Sequence, residues 1–87
     1  MSASLFATYW NKKKTRAYRR RVFAAASSYT IHTLWEYPEE QGNYLYKSDL
    51  PKLKRLAKKD GQLLNNPFQE FYDLVKKYGG IEVEILC

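Results

Sequence analysis

The chain has a single cysteine, Cys87, and it is the last of 87 residues. No intramolecular disulfide can form, which suits a reducing compartment. With one histidine, His32, beside that one cysteine, no recognisable metal-ligand spacing exists, and neither a metal nor another cofactor is expected. The four glycines, at positions 42, 61, 79 and 80, all fall where an element ends. They build neither a phosphate-cradling loop nor a dinucleotide fingerprint. Long apolar runs are missing as well. The longest uncharged stretch, VFAAASSYTIHTLW over residues 22–35, is too short to span a bilayer, so no membrane insertion is expected. A secretory signal needs positive charge ahead of its apolar stretch, whereas here residues 1–11 carry no Lys or Arg and the charge follows. An organelle transit peptide fits better, because residues 1–28 are Arg-rich, contain several Ser and lack acids. The expected location is the cytoplasm, with organelle import as the alternative.

The most informative absence is of negative charge. Residues 1–35 hold seven Lys or Arg and no acid, while residues 36–87 hold eight basic and nine acidic groups. The whole formal excess of +6 therefore lies in Lys12, Lys13, Lys14, Arg16, Arg19, Arg20 and Arg21. Such asymmetry marks a contact face for nucleic acid, an anionic membrane or an acidic protein; the plain alternative is a solvated face that aids solubility.

What is present argues for one folded domain over residues 1–87. A chain this short supports one core, and 45% hydrophobic with 16% aromatic residues is too apolar for disorder. SLFATYW, residues 4–10, reads as a strand ending at Asn11. From Thr15 as cap to about Ser28 the spacing of Tyr18, Val22, Ala25 and Ala26 predicts a helix, since a strand would mix Arg and apolar residues on both faces. Residues 29–37 alternate, placing Tyr29, Ile31, Thr33, Trp35 and Tyr37 on one side of a predicted strand. PEEQGN then turns the chain into a further strand, YLYK.

Two helices follow. The first is capped by Ser48 or Asp49, carries Pro51 in its first turn, buries Leu50, Leu53, Leu56 and Ala57, and stops at Gly61. The second has Asn66 as cap, Pro67 at its start, the stripe Phe68, Phe71, Tyr72, Val75 and Tyr78, and Gly79 or Gly80 as its stop. IEVEILC closes as a half-buried strand. The order β-α-β-β-α-α-β predicts a small two-layer α+β domain: a mainly antiparallel sheet of about four strands with two or three helices on one face.

Catalytic chemistry finds little support. His32 has no neighbouring nucleophile, and Ser27 and Ser28 follow an Ala run and lack the surroundings of a nucleophile elbow. Glu82 and Glu84 share one strand face, where a polar outer surface is the simpler account than a carboxylate pair. No enzymatic activity is expected. Binding chemistry is better served. Lys12 to Arg21 interleave with aromatics; Tyr9 and Trp10 abut the charged loop and are candidate aromatic contacts, whereas Phe6, Tyr18 and Phe23 read as core. Lys52, Arg55 and Lys59 line a second basic face, with Lys54 and Lys58 beside them. The expected partner is nucleic acid, gripped through its phosphate backbone. The alternative is an acidic protein or nucleoprotein, docked by a small inhibitor or adaptor of the kind phages and mobile elements encode.

Overall fold

A computed structural model describes residues 4–11, 13–22, 32–40, 42–59 and 67–86. Their architecture is the two-layer α+β arrangement, with a four-stranded antiparallel sheet in the order β2-β1-β4-β3. The strands are β1 (Ser4–Trp10), β2 (Ala17–Val22), β3 (Asn43–Tyr46) and β4 (Gly80–Leu86), and the helices are α1 (Leu50–Lys59) and α2 (Pro67–Tyr78).

The core follows from period-two and period-3.6 patterns meeting. Leu5 and Ala7 of β1, Ile81, Val83 and Ile85 of β4, Leu45 of β3 and Val22 of β2 form the covered sheet face. Phe68, Phe71, Leu74 and Val75 of α2 and Leu53, Leu56 and Ala57 of α1 close over it. Pro67 opens α2 as its missing N–H predicts. Gly79 ends it in the left-handed region, φ 89°, donating its N–H to the Val75 carbonyl at 2.7 Å. A single 3₁₀ turn, Lys47–Asp49, leads into α1, and the Asp49 carboxylate accepts the Tyr46 backbone N–H at 2.8 Å.

Two predicted elements change. The helix expected from Thr15 is a strand over Ala17–Val22; residues 23–28 lie outside the described residues. A strand here does mix Arg with apolar groups on both faces, and an edge position makes that tolerable. Tyr18 stacks on its cross-strand partner Tyr9 at 5.7 Å. Arg19, Arg20 and Arg21 are exposed, and charge on an edge strand discourages further pairing. The predicted strand over 29–37 is likewise absent where described: His32 to Leu34 make a helical turn and residues 35–40 are irregular. Its period-two face is not the buried one, since Leu34 is buried while Tyr37 is 84% exposed. The Lys52 ammonium donates to the Leu34 carbonyl at 3.2 Å, tying the turn to α1. The order among described elements is therefore β-β-β-α-α-β. Gly61, Asn66 and Cys87 lie outside the described residues.

Asn43 is buried, and its polar atoms are satisfied. Its side-chain amide donates to the carbonyls of Val83, at 3.1 Å, and Glu39, and its oxygen accepts the Glu39 N–H at 2.9 Å. With the Ile85 N–H donating to the Glu40 carbonyl at 2.8 Å, the loop before β3 is pinned along β4. Asn43→Ala is expected to cost about 1–3 kcal/mol in urea denaturation, because it strands buried polar groups. Phe71→Asp and Val75→Asp each bury an unpaired charge and are expected to abolish cooperative unfolding; melting at the wild-type temperature in both would contradict this core.

Candidate nucleic-acid interface

Alternation sends the side chains between the core positions to the other sheet face. The pairing sets them in rows across the sheet: Arg21, Phe6 and Glu84 in one, and Arg19, Thr8, Glu82 and Tyr44 in the next. Trp10 and Ala17 lie in a third row, which Gly80 and Tyr46 extend by register. On this face Trp10, Tyr44 and Tyr46 are exposed by 41%, 45% and 55%. Tyr44 and Tyr46, two apart on β3, stack nearly parallel at 6.0 Å. The Glu82 carboxylate, hydrogen-bonded to the Tyr44 hydroxyl, raises that phenol above its ordinary value.

The turn between β1 and β2 presents the charge. Asn11 organises it: its carboxamide oxygen accepts the Thr15 and Arg16 N–H groups at 2.9 and 3.3 Å, and its carbonyl accepts the Lys14 N–H at 2.9 Å. Lys14 adopts φ 55° there, a left-handed conformation held by these bonds. Lys13, Lys14 and Arg16 are exposed and form no ion pair among the described residues. Arg16 instead sits over the Tyr18 ring at 5.2 Å.

The remaining predicted contacts divide. Arg19 pairs with Glu84 at 3.4 Å and lies 4.0 Å over the Phe6 ring. Thr8 donates to the same carboxylate at 3.3 Å. Arg20, on the helix side of β2, pairs with Glu70 of α2 at 3.1 Å. Arg21 is exposed on the open face beside Phe6, and Lys12 lies outside the described residues. Tyr9 and Trp10 point to opposite faces. Tyr9 is packed against the core and stacks on Tyr78 at 4.5 Å, so only Trp10 stands on the open face. Phe6, read as core, is half-buried on the open face, and Tyr18 is 37% exposed; Phe23 lies outside the described residues.

Lys52, Arg55 and Lys59 belong to α1, in the helix layer, so they form no continuous plate with Arg19 and Arg21 on the other side of the sheet. Tyr44, Tyr46 and Gly80 are not among the residues that charge and aromatic spacing single out. The available signal is YLYK, whose alternation sets both tyrosines opposite the buried Leu45. Among the described residues no group of three or more His, Cys, Asp or Glu side chains could hold a metal, and no helix is long and apolar enough to cross a membrane.

The Arg19–Glu84 pair has side-chain exposures of 49% and 18%. A double-mutant cycle through Arg19→Gln and Glu84→Gln is expected to give a coupling of about 0.2–1 kcal/mol by urea denaturation, as for other surface pairs.

No protein-family model, no curated protein and no solved structure matches this chain, so the geometry of this surface carries the functional reading.

Proposed function

We propose that the domain is a non-enzymatic binding module for nucleic acid, contacting the phosphate backbone through the β1–β2 turn. The observation that carries this reading is a juxtaposition. Lys14, with no carboxylate partner among the described residues, lines one cleft with the exposed rings Trp10, Tyr44 and Tyr46, and Lys13 and Arg16 are exposed in the same turn. Cations without internal partners release counterions when they meet phosphate, and exposed aromatic faces offer stacking surfaces that a solvated charged patch does not need. Arg21 adds a fork-shaped donor further along the same strand. Arg19 and Arg20 contribute less, because each already serves a carboxylate.

One observation favours a second reading. Glu82 and Glu84 stand in the middle of the open face and repel phosphate, so an acidic protein docking only on the rim would also suit the surface. Salt separates the two. Phosphate binding weakens linearly in log salt, by about 0.9 per phosphate neutralised on duplex DNA and about 0.7 on single strands. A protein interface centred on buried aromatics is much less salt-sensitive.

Lys13→Gln, Lys14→Gln and Arg16→Gln combined are expected to leave the melting temperature nearly unchanged. They should weaken oligonucleotide binding and flatten the salt slope by about 0.7–0.9 for each phosphate no longer neutralised. An unchanged slope would show that the turn does not hold phosphate.

A further inference from the structure

The row of the open face nearest the turn has a gap in it. Trp10 stands on β1 and Tyr46 on β3, while β4 between them contributes Gly80, opposite Tyr46. Thr8 pairs with Glu82, so Trp10, two residues further along its strand, falls level with Gly80. Two aromatic side chains therefore flank a position with no side chain. Neighbouring strands lie about 4.8 Å apart, which puts the backbones bearing Trp10 and Tyr46 roughly 10 Å from each other. Consecutive stacked bases are separated by about 3.4 Å, so one planar ring between two others needs roughly 7 Å.

The gap opens into a space with a charged rim. Trp10, Lys14, Tyr44, Tyr46, Gly79 and Gly80 line an open cleft of about 590 Å³, within the range of small-molecule and cofactor sites. Tyr44 stacks on Tyr46 along one wall, and the Asn11 hydrogen bonds shape the turn backbone that carries Lys14. An aromatic slot with a cation at its mouth matches a base that carries its phosphate alongside.

Building on the nucleic-acid reading, we infer that this slot takes a single unpaired nucleobase between Trp10 and Tyr46, with Lys14 on the adjoining phosphate. The ligand class is then single-stranded nucleic acid. Bases inside a duplex are stacked on both faces and offer no free ring to insert, so a duplex reaches the turn but not the slot. Specificity for one base is not implied, because every base has a face that stacks.

The test uses the intact chain with an oligothymidylate of about eight nucleotides, within the site sizes of small single-strand binders, and a duplex of equal length at one salt concentration. The single strand is expected to bind more tightly and to quench tryptophan fluorescence, with the quenching lost in Trp10→Phe. Trp10→Ala and Tyr46→Ala are each expected to weaken single-strand binding roughly five- to 150-fold, the range for one base–aromatic stack, with duplex binding nearly unchanged. Gly80→Val supplies a variant that fills the slot and favours the strand. A Cβ there meets the Leu45 carbonyl oxygen and Tyr46 Cδ1 at 3.5 Å, ordinary contact distances, and with the melting temperature checked against wild type single-strand binding is expected to fall. Equal binding of both ligands, or single-strand binding unchanged in Gly80→Val and Trp10→Ala, overturns the slot and leaves the phosphate-binding reading standing. If neither oligonucleotide binds, both readings fall. Quenching by an acidic, aromatic peptide would then give the cleft to a protein partner.

Discussion

The pairing of β1 with β4 is the constraint on which the rest of the domain depends. These strands come from opposite ends of the chain, yet they are the two inner strands of the sheet. The Thr8–Glu84 hydrogen bond crosses 76 residues of sequence, and closing a loop that long costs about 4 kcal/mol of chain entropy before any contact offsets it. The offset comes from one face only. Leu5, Ala7, Ile81, Val83 and Ile85 lie under Phe68, Phe71 and Val75 of α2, all of them buried. With apolar burial concentrated there, the opposite face is left to carry Phe6, Trp10, Arg19, Arg21, Tyr44 and Tyr46. The surface proposed as an interface thus follows from the way the core is built.

That same face shows why a run of positive charge is a poor proxy for a binding site. Within β2, Arg19 is committed to Glu84 and Phe6, and Arg20 to Glu70. These contacts orient an edge strand and reduce the charge left for a partner. In the turn, where Asn11 shapes the backbone and Trp10 is adjacent, Lys13, Lys14 and Arg16 have no carboxylate partner among the described residues. The second run of basic residues, on α1, is divided from them by the thickness of the sheet and partly used in its own layer, where Lys52 holds the Leu34 carbonyl.

How much of this the sequence discloses depends on whether local and tertiary preferences agree. Both helices after residue 47 are legible because Pro67, Gly79 and the stripes of Leu53, Leu56, Phe71 and Val75 all point one way. β4 is legible because Ile81, Val83 and Ile85 alternate with acids. β2 is not, because YRRRVF satisfies a helical spacing as readily as a strand. What decides is the pairing with β1, where Tyr18 meets Tyr9, and the periodicity of residues 15–28 taken by itself carries nothing of that neighbour. Residues 32–37 mislead for the converse reason: their alternation is strand-like, but the buried residue is Leu34, off the alternating face, while Tyr37 on it is exposed. Of the candidate site, the charge and Trp10 are legible. The gap at Gly80 is not, since a glycine after a helix reads only as a stop until strand order puts it between Trp10 and Tyr46.

The most direct test of the proposed interface is to map backbone amide and Trp10 indole chemical shifts by NMR during titration with oligothymidylate. The largest changes are expected on Trp10, on Lys13 to Arg16, and on Tyr44, Tyr46 and Gly80, with α1 little affected. Changes centred instead on Lys54, Arg55, Lys58 and Lys59 of α1 would contradict it, because the ligand would then be reading the helix layer and not the open face of the sheet.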